Sequence, residues 1–176
     1  MSQGGWQVRA ARKTDRALLT HFTCADGTRP WEVEVEQFIQ HSLFDWAFDA
    51  HAKKNDPRLL LVFDRPGGDL VAVAAHERTE LRHRKKVFAA TKLEVVAVAR
   101  AWQGHCLKGG ARVSDVLMSA VMSDVSSRVP PRHSRVFALI HEKNLRSAAL
   151  CARHGLVEEL SRVDPEYRRL VTAHQP

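Results

Sequence analysis

Between Leu93 and Leu156 the sequence passes from an apolar strand pattern through a glycine-bearing loop into an amphipathic helix pattern. The loop, WQGHCLKGGAR, carries Gly104, Gly109 and Gly110, and Lys108 and Arg112 add positive charge to it. The chemistry this suits is anion binding. The first amides of a helix have no partner inside it and sit at the positive end of its dipole, so a strand that opens through glycines into a helix start cradles phosphate. The dinucleotide fingerprint GxGxxG and the P-loop GKS/T are both absent. A second motif follows, a short helix pattern led by Asn144, carrying Ser147, Leu150 and Cys151, and closed by Gly155. Metal chemistry has no comparable support. The ten His are scattered without HExxH, and the three Cys (Cys24, Cys106, Cys151) form no CxxC pair, so no metal is expected. The odd, scattered cysteines also argue against a disulfide framework and for a reducing, cytoplasmic setting.

These residues need elements to hold them. A first strand is expected at 7–10, and Thr14 or Asp15 caps a helix to His21. After the turn at 22–29, Pro30 opens a helix to about Ala52, in which Trp31, Val35, Phe38, Ser42 and Trp46 recur at helical spacing. Residues 58–64 are a buried strand, 65–69 a turn, and 70–81 the other arm of a hairpin. The basic run Arg82 to Lys86 reads as a connection, and 91–99 as a Val-rich strand. Val113, Val116, Leu117, Ala120 and Val121 mark one apolar face of a helix that ends before Pro130. A strand at 135–141, a helix at 145–153 and a hairpin of 156–163 with 167–172 complete the chain. Strands alternating partly with helices and partly in hairpins imply an α/β (α+β) fold: a mixed sheet with helices on its faces.

The 176 residues suit one domain, 1–176, and their 44% hydrophobic and 27% charged content is that of a globular protein. No run of apolar residues is long enough to span a bilayer, and the N-terminus lacks the apolar core of a signal peptide, so no membrane partner is expected. The net charge of +7 favours polyanions, from phosphorylated cofactors to nucleic acid. No helix-turn-helix, RNP aromatic pair or GXXG loop accompanies it.

The stretch Asn144-LR-Ser147-AA-Leu150-Cys151-ARH-Gly155-Leu156, with LEVVAVARAWQG upstream, resembles the GNAT superfamily of N-acetyltransferases. That family combines an apolar fourth strand, a Gly-rich loop, a helix, a fifth strand and N-x-x-A/S-x-x-L-Y-x-x-x-G-F. The resemblance extends over residues 58–172 and is densest from 93 to 156. It implies a six- to seven-stranded mixed sheet, helices on both faces, and strands four and five splayed around acetyl-coenzyme A. The pantetheine arm would pair near Val96 and Val98. The pyrophosphate would lie over the loop, reached by Gln103, Gly104, Lys108, Gly109, Gly110, Arg112 and Ser114, while Asn144 and Ser147 would contact or position the reactive end. The sequence departs from the family in two places. The loop is about four residues longer, with Arg112 and Ser114 at two glycine positions. Cys151 stands where the family has the tyrosine that protonates the leaving thiolate.

The resemblance implies direct transfer to an amine in one ternary complex, with an oxyanion held by a backbone N–H near Val96. Glu94, in an otherwise apolar strand two residues beyond a common acidic position of the family, would be the general base; Glu77 and Glu80 compete for the role, and a solvated edge residue is the plainer reading. Cys151 would be the acid, its ordinary pKa of about 8.5 matching that of the departing thiolate. His105 could touch phosphate, and Cys106 has no partners for nucleophilic catalysis. Three acceptor classes stay open: a small-molecule amine, a protein amine, and, as in toxin members of the family, the amino group of aminoacyl-tRNA. A homodimer is compatible with each. A non-catalytic acyl-coenzyme A-binding module is the alternative to an enzyme.

Overall fold

A computed structural model describes residues 5–49, 54–83, 85–106, 110–128, 135–164 and 166–172. The elements run β1 (Gln7–Ala10), a 3-10 turn (Lys13–Asp15), α1 (Arg16–Thr20), α2 (Pro30–His41), α3 (Leu43–Phe48), β2 (Arg58–Phe63), β3 (Leu70–His83) and β4 (Lys86–Val98). A second 3-10 turn (Arg100–Trp102), α4 (Val113–Arg128), β5 (Arg135–His141), α5 (Leu145–Arg153), β6 (Leu156–Asp164) and β7 (Tyr167–Thr172) follow. The seven strands form one mixed sheet in the order β1-β2-β3-β4-β5-β7-β6, in which only β4 and β5 pair in parallel.

Each face of the sheet has its own core. Leu117, Met118 and Val121 of α4, all fully buried, pack with Leu60, Val62, Val71 and Leu93, and Leu150 and Cys151 of α5 join them. Ile39, Leu43 and Leu19 of the N-terminal helices cover Leu59, Leu61, Val73, Val95 and Ala97 on the other face. Each such side chain taken from water contributes about 1.5–3 kcal/mol. Two expectations change. The helix expected from 30 to about 52 is broken at Ser42, whose φ of −126° closes α2 and opens α3. Serine is suited to that junction because its hydroxyl competes with the helix backbone. And β4 starts at Lys86 rather than at 91, so the strand takes in residues expected to lie in the connection and the β3–β4 hairpin is longer.

A buried ion pair fixes where the N-terminal helices begin. Asp15, 5% exposed, accepts from the Arg9 guanidinium at 2.7 and 2.9 Å and from the Arg12 amide at 2.6 Å. The Arg9 bond outweighs burial and holds the Asp15 carboxyl below the usual range. A carboxyl lowered on folding stabilises the native state above its unfolded pKa, near 4, and loses that contribution as pH falls. Asp15→Ala is expected to cost about 2 kcal/mol in urea unfolding at pH 7, because it leaves the half-buried Arg9 guanidinium and the Arg12 amide without their acceptor. The gap to the unsubstituted protein should narrow below about pH 4.

Candidate active site

β4 and β5 pair only from Ala90–Arg135 to Leu93–Ala138. Beyond Leu93, β4 keeps its bonds to β3 as far as Val98, while β5 continues with β7 to His141. The sheet therefore splits into a V, and the edge of β4 that faces β5 carries unpaired backbone groups. The split coincides with a bulge. Leu93 opposes His76 and Val95 opposes Ala75, so Glu94 is an extra residue on β4. An extra residue reverses the alternation of faces, which is why Leu93 joins the α4 core and Val95 the α2 core.

A cavity of about 650 Å³ fills the V. Val96 and Val98 line it from β4, Gln103, Gly104 and His105 from the loop, Arg112 and Ser114 from the start of α4, and Asn144, Ser147, Arg146 and Arg153 from α5. A smaller chamber of about 130 Å³ shares Trp31, Val96, Asn144, Ser147 and Leu150 with it, and also holds Glu94, Cys151, His141 and Tyr167. Of the residues singled out in the sequence, Val96, Val98, Gln103, Gly104, Arg112, Ser114, Asn144 and Ser147 thus meet around one slot, with Glu94 and Cys151 at its inner end. Gly110 takes a φ of +86° but does not line the cavity. Lys108 and Gly109 lie outside the described residues. Glu80 is exposed, pairs with Ala89, and lines neither cavity.

The lengthened loop is accommodated by a pinch. Cys106 and Arg112 form an antiparallel bridge, so the chain returns to the helix start despite the extra residues. The Arg112 carbonyl accepts from the amides of Asp115 and Val116 at 3.0 and 3.1 Å, and the Val113 and Ser114 amides begin the helix at the slot. Gly104 turns with a φ of +79°, where a side chain would be strained. The Gln103 side-chain amide donates to the carbonyls of Cys24, at 2.6 Å, and Val98, at 3.1 Å, so it is a strut between the 22–29 segment and β4. Asn144 caps α5, its Oδ1 accepting from the Ser147 amide at 3.1 Å.

At the inner end, the Glu94 carboxylate meets Lys92 Nζ at 2.8 Å. Glu77 of β3 lies against Glu94, and burial followed by the charge of Glu94 holds the Glu77 carboxyl above its ordinary range. Cys151, 5% exposed, has its thiol pushed up to about 11 by burial. The near match to a departing thiolate expected from an ordinary cysteine is therefore lost. The arginine pair of α5, and the contact that His141 and Tyr167 make with Trp31, were not singled out in the sequence. Arg146 and Arg153, seven apart on α5, place two guanidiniums beside the slot, and Arg153 is held by Asp115 at 2.8 Å. Their helical spacing was the signal. Trp31 stacks on His141 (centroids 4.7 Å, 14° between planes), and His141 meets Tyr167 edge-on at 5.6 Å. Tyr167 is the one tyrosine of the chain, on a strand far in sequence from the motifs.

The slot is suited to an elongated ligand that carries phosphate groups. Three arginines and a helix start face its outer half, as phosphates require, and the free edge of β4 offers amide partners to an extended arm. Trp31 Nε1 is buried with no hydrogen-bond partner among the described residues, a donor that a ligand acceptor would satisfy.

No family model matches the sequence, and neither does any curated protein. Solved structures do match its fold. The PaiA N-acetyltransferase from Thermoplasma acidophilum, in complex with coenzyme A, aligns with a TM-score of 0.67 over 99% of this chain and 100% of its own, at 9% identity. A mutant AtaT toxin bound to the C-terminus of the antitoxin AtaR and to acetyl-CoA aligns at 0.62 over 95% and 93%, at 16% identity. An acetyltransferase of the GNAT family from Streptococcus pneumoniae aligns at 0.53 over 95% and 98%, at 17% identity. The chain has the GNAT acetyltransferase fold.

Proposed function

We propose that residues 1–176 act as one cytoplasmic, acetyl-coenzyme A-dependent N-acetyltransferase domain, which moves the acetyl group to a primary amine by direct attack. The observation that carries this reading is the V between β4 and β5, with an arginine-lined outer half and a carboxylate at its inner end. Arg112, Arg146 and Arg153 hold the phosphates with the amides of Val113 and Ser114. Val96 and Val98 lie on the edge that receives the pantetheine arm, and an N–H near Val96 supports the developing oxyanion. Glu94, backed by Glu77, takes the proton of the amine, which at an ordinary pKa of about 10.4 arrives protonated at pH 7. Much of the rate enhancement comes from holding the two reactants together.

Cys151 stays protonated at any working pH and stands as the donor to the departing thiolate. Transfer from about 11 to about 8.5 runs uphill by roughly 3 kcal/mol. Its contribution is accordingly smaller than that of Glu94. Cys151→Ala should lower kcat about fivefold with acetyl-CoA affinity preserved, the signature of an interaction made in the transition state. Full turnover would make the thiol a packing residue.

The reading is tested by free-thiol release from acetyl-CoA across a panel of amines, amine-bearing peptides and charged tRNA. Thiol release dependent on one acceptor class supports it. Binding of acetyl-CoA without release in any arm would favour a module that only binds acyl-coenzyme A.

A further inference from the structure

The inner chamber is chemically unlike the rest of this protein. The chain carries a net charge of +7 and its slot is lined by arginines, yet among the described residues no lysine or arginine lines the inner chamber. Its charged lining is Glu94, inside, and Glu34 of α2, an exposed residue. Lys92 offsets Glu94, but Glu77 lies against the same carboxylate and returns the balance to negative. The Glu34 carboxylate has no hydrogen bond or ion pair among the described residues. The Lys143 amide donates to His141 Nδ1 at 3.2 Å, which holds the ring in place at the chamber wall.

Much of the remaining wall is aliphatic, and at one side Trp31 and Tyr167 flank that imidazole in one aromatic group. Aromatic faces and carboxylates together select cations. The chamber, at about 130 Å³, is narrow beside the outer slot of about 650 Å³. That suits the end of an unbranched alkyl chain.

We infer that the acceptor is a slender dication, a primary amine at one end of an unbranched chain with a second ammonium group at the other. The reacting amine gives its proton to Glu94, and the second cation pairs with Glu34 at the edge of the chamber beside the aromatic group. The inference rests on the acetyltransferase reading and names its substrate class.

The test compares three acceptors of one chain length, 1,4-diaminobutane, 1-aminobutane and 4-aminobutanoate, by thiol release from acetyl-CoA at pH 8. The diamine should exceed the monoamine about tenfold in kcat/KM, the combined worth of an added ion pair and a cation–π contact, and 4-aminobutanoate should be the poorest. Glu34→Gln should bring the ratio of diamine to monoamine close to one. Equal kcat/KM for diamine and monoamine would overturn this inference and leave the acetyltransferase intact, as would a preference that survives Glu34→Gln or efficient use of 4-aminobutanoate. Acetyl-CoA binding with no thiol release from any amine would remove the acetyltransferase reading and this one with it.

Discussion

Replacing Glu94 with glutamine should lower kcat/KM at pH 7 by about 10²-fold or more, and the loss should shrink as pH rises. Glutamine keeps the shape and the bulge but cannot take a proton. At pH 7 only about one amine in 10³ is free to attack, so a base that collects the proton at the site is worth that order of rate. Near pH 10 the amine deprotonates in solution and the variant should approach the unsubstituted enzyme. Lys92 complicates the carboxylate, since its ammonium occupies Glu94 at 2.8 Å before the acceptor arrives. Incoming amine must share or displace that contact, and the Glu77 carboxyl, already raised by burial and by Glu94, is the adjacent site for the proton. A Glu94→Gln variant with an undiminished rate at pH 7 would move the base to Glu77. The pH–rate profiles of the two single variants separate these cases.

The second large effect concerns the outer half of the slot. Arg146→Ala with Arg153→Ala should raise the Kd for acetyl-CoA by about 10²- to 10³-fold, since each charge-assisted hydrogen bond to phosphate contributes about 1.5–3 kcal/mol. The fold should tolerate both changes. The two side chains are exposed, and the Asp115 that Arg153 leaves behind keeps His154 at 3.4 Å. Calorimetry at two salt concentrations checks the origin of the effect, because the salt dependence of binding should weaken with the arginines removed. An unchanged Kd would mean that phosphate binds elsewhere.

Much of the fold was legible because its signals are local. Pro30 at the start of a helix, Gly155 at the end of another, and Val113, Leu117 and Val121 every four residues are statements that neighbours in sequence can make. The splayed pair was anticipated only through the resemblance to the GNAT superfamily that the stretch from 93 to 156 carries. What escaped was set by contacts distant in sequence. The bulge at Glu94 exists only in the pairing with Ala75 and His76, so nothing in LEVVAV announces it. The strand from Lys86 to Ala90 is built on its hairpin partner 79–83 and carries little apolar alternation of its own. Cys151 was read at the pKa of a free thiol, whereas the core contributed by α4 and β5 decides its acidity. Tyr167 reaches the chamber from β7, and its meeting with Trp31 and His141 joins three elements spread over most of the chain.

A titration of acetyl-CoA into the protein by calorimetry bears most directly on the claim that the V between β4 and β5 is its binding slot. One site per chain with a Kd of about 10 μM, or roughly −7 kcal/mol, is the expected result, accompanied by a rise in Tm with occupancy. No heat and no rise in Tm at millimolar acetyl-CoA would contradict it.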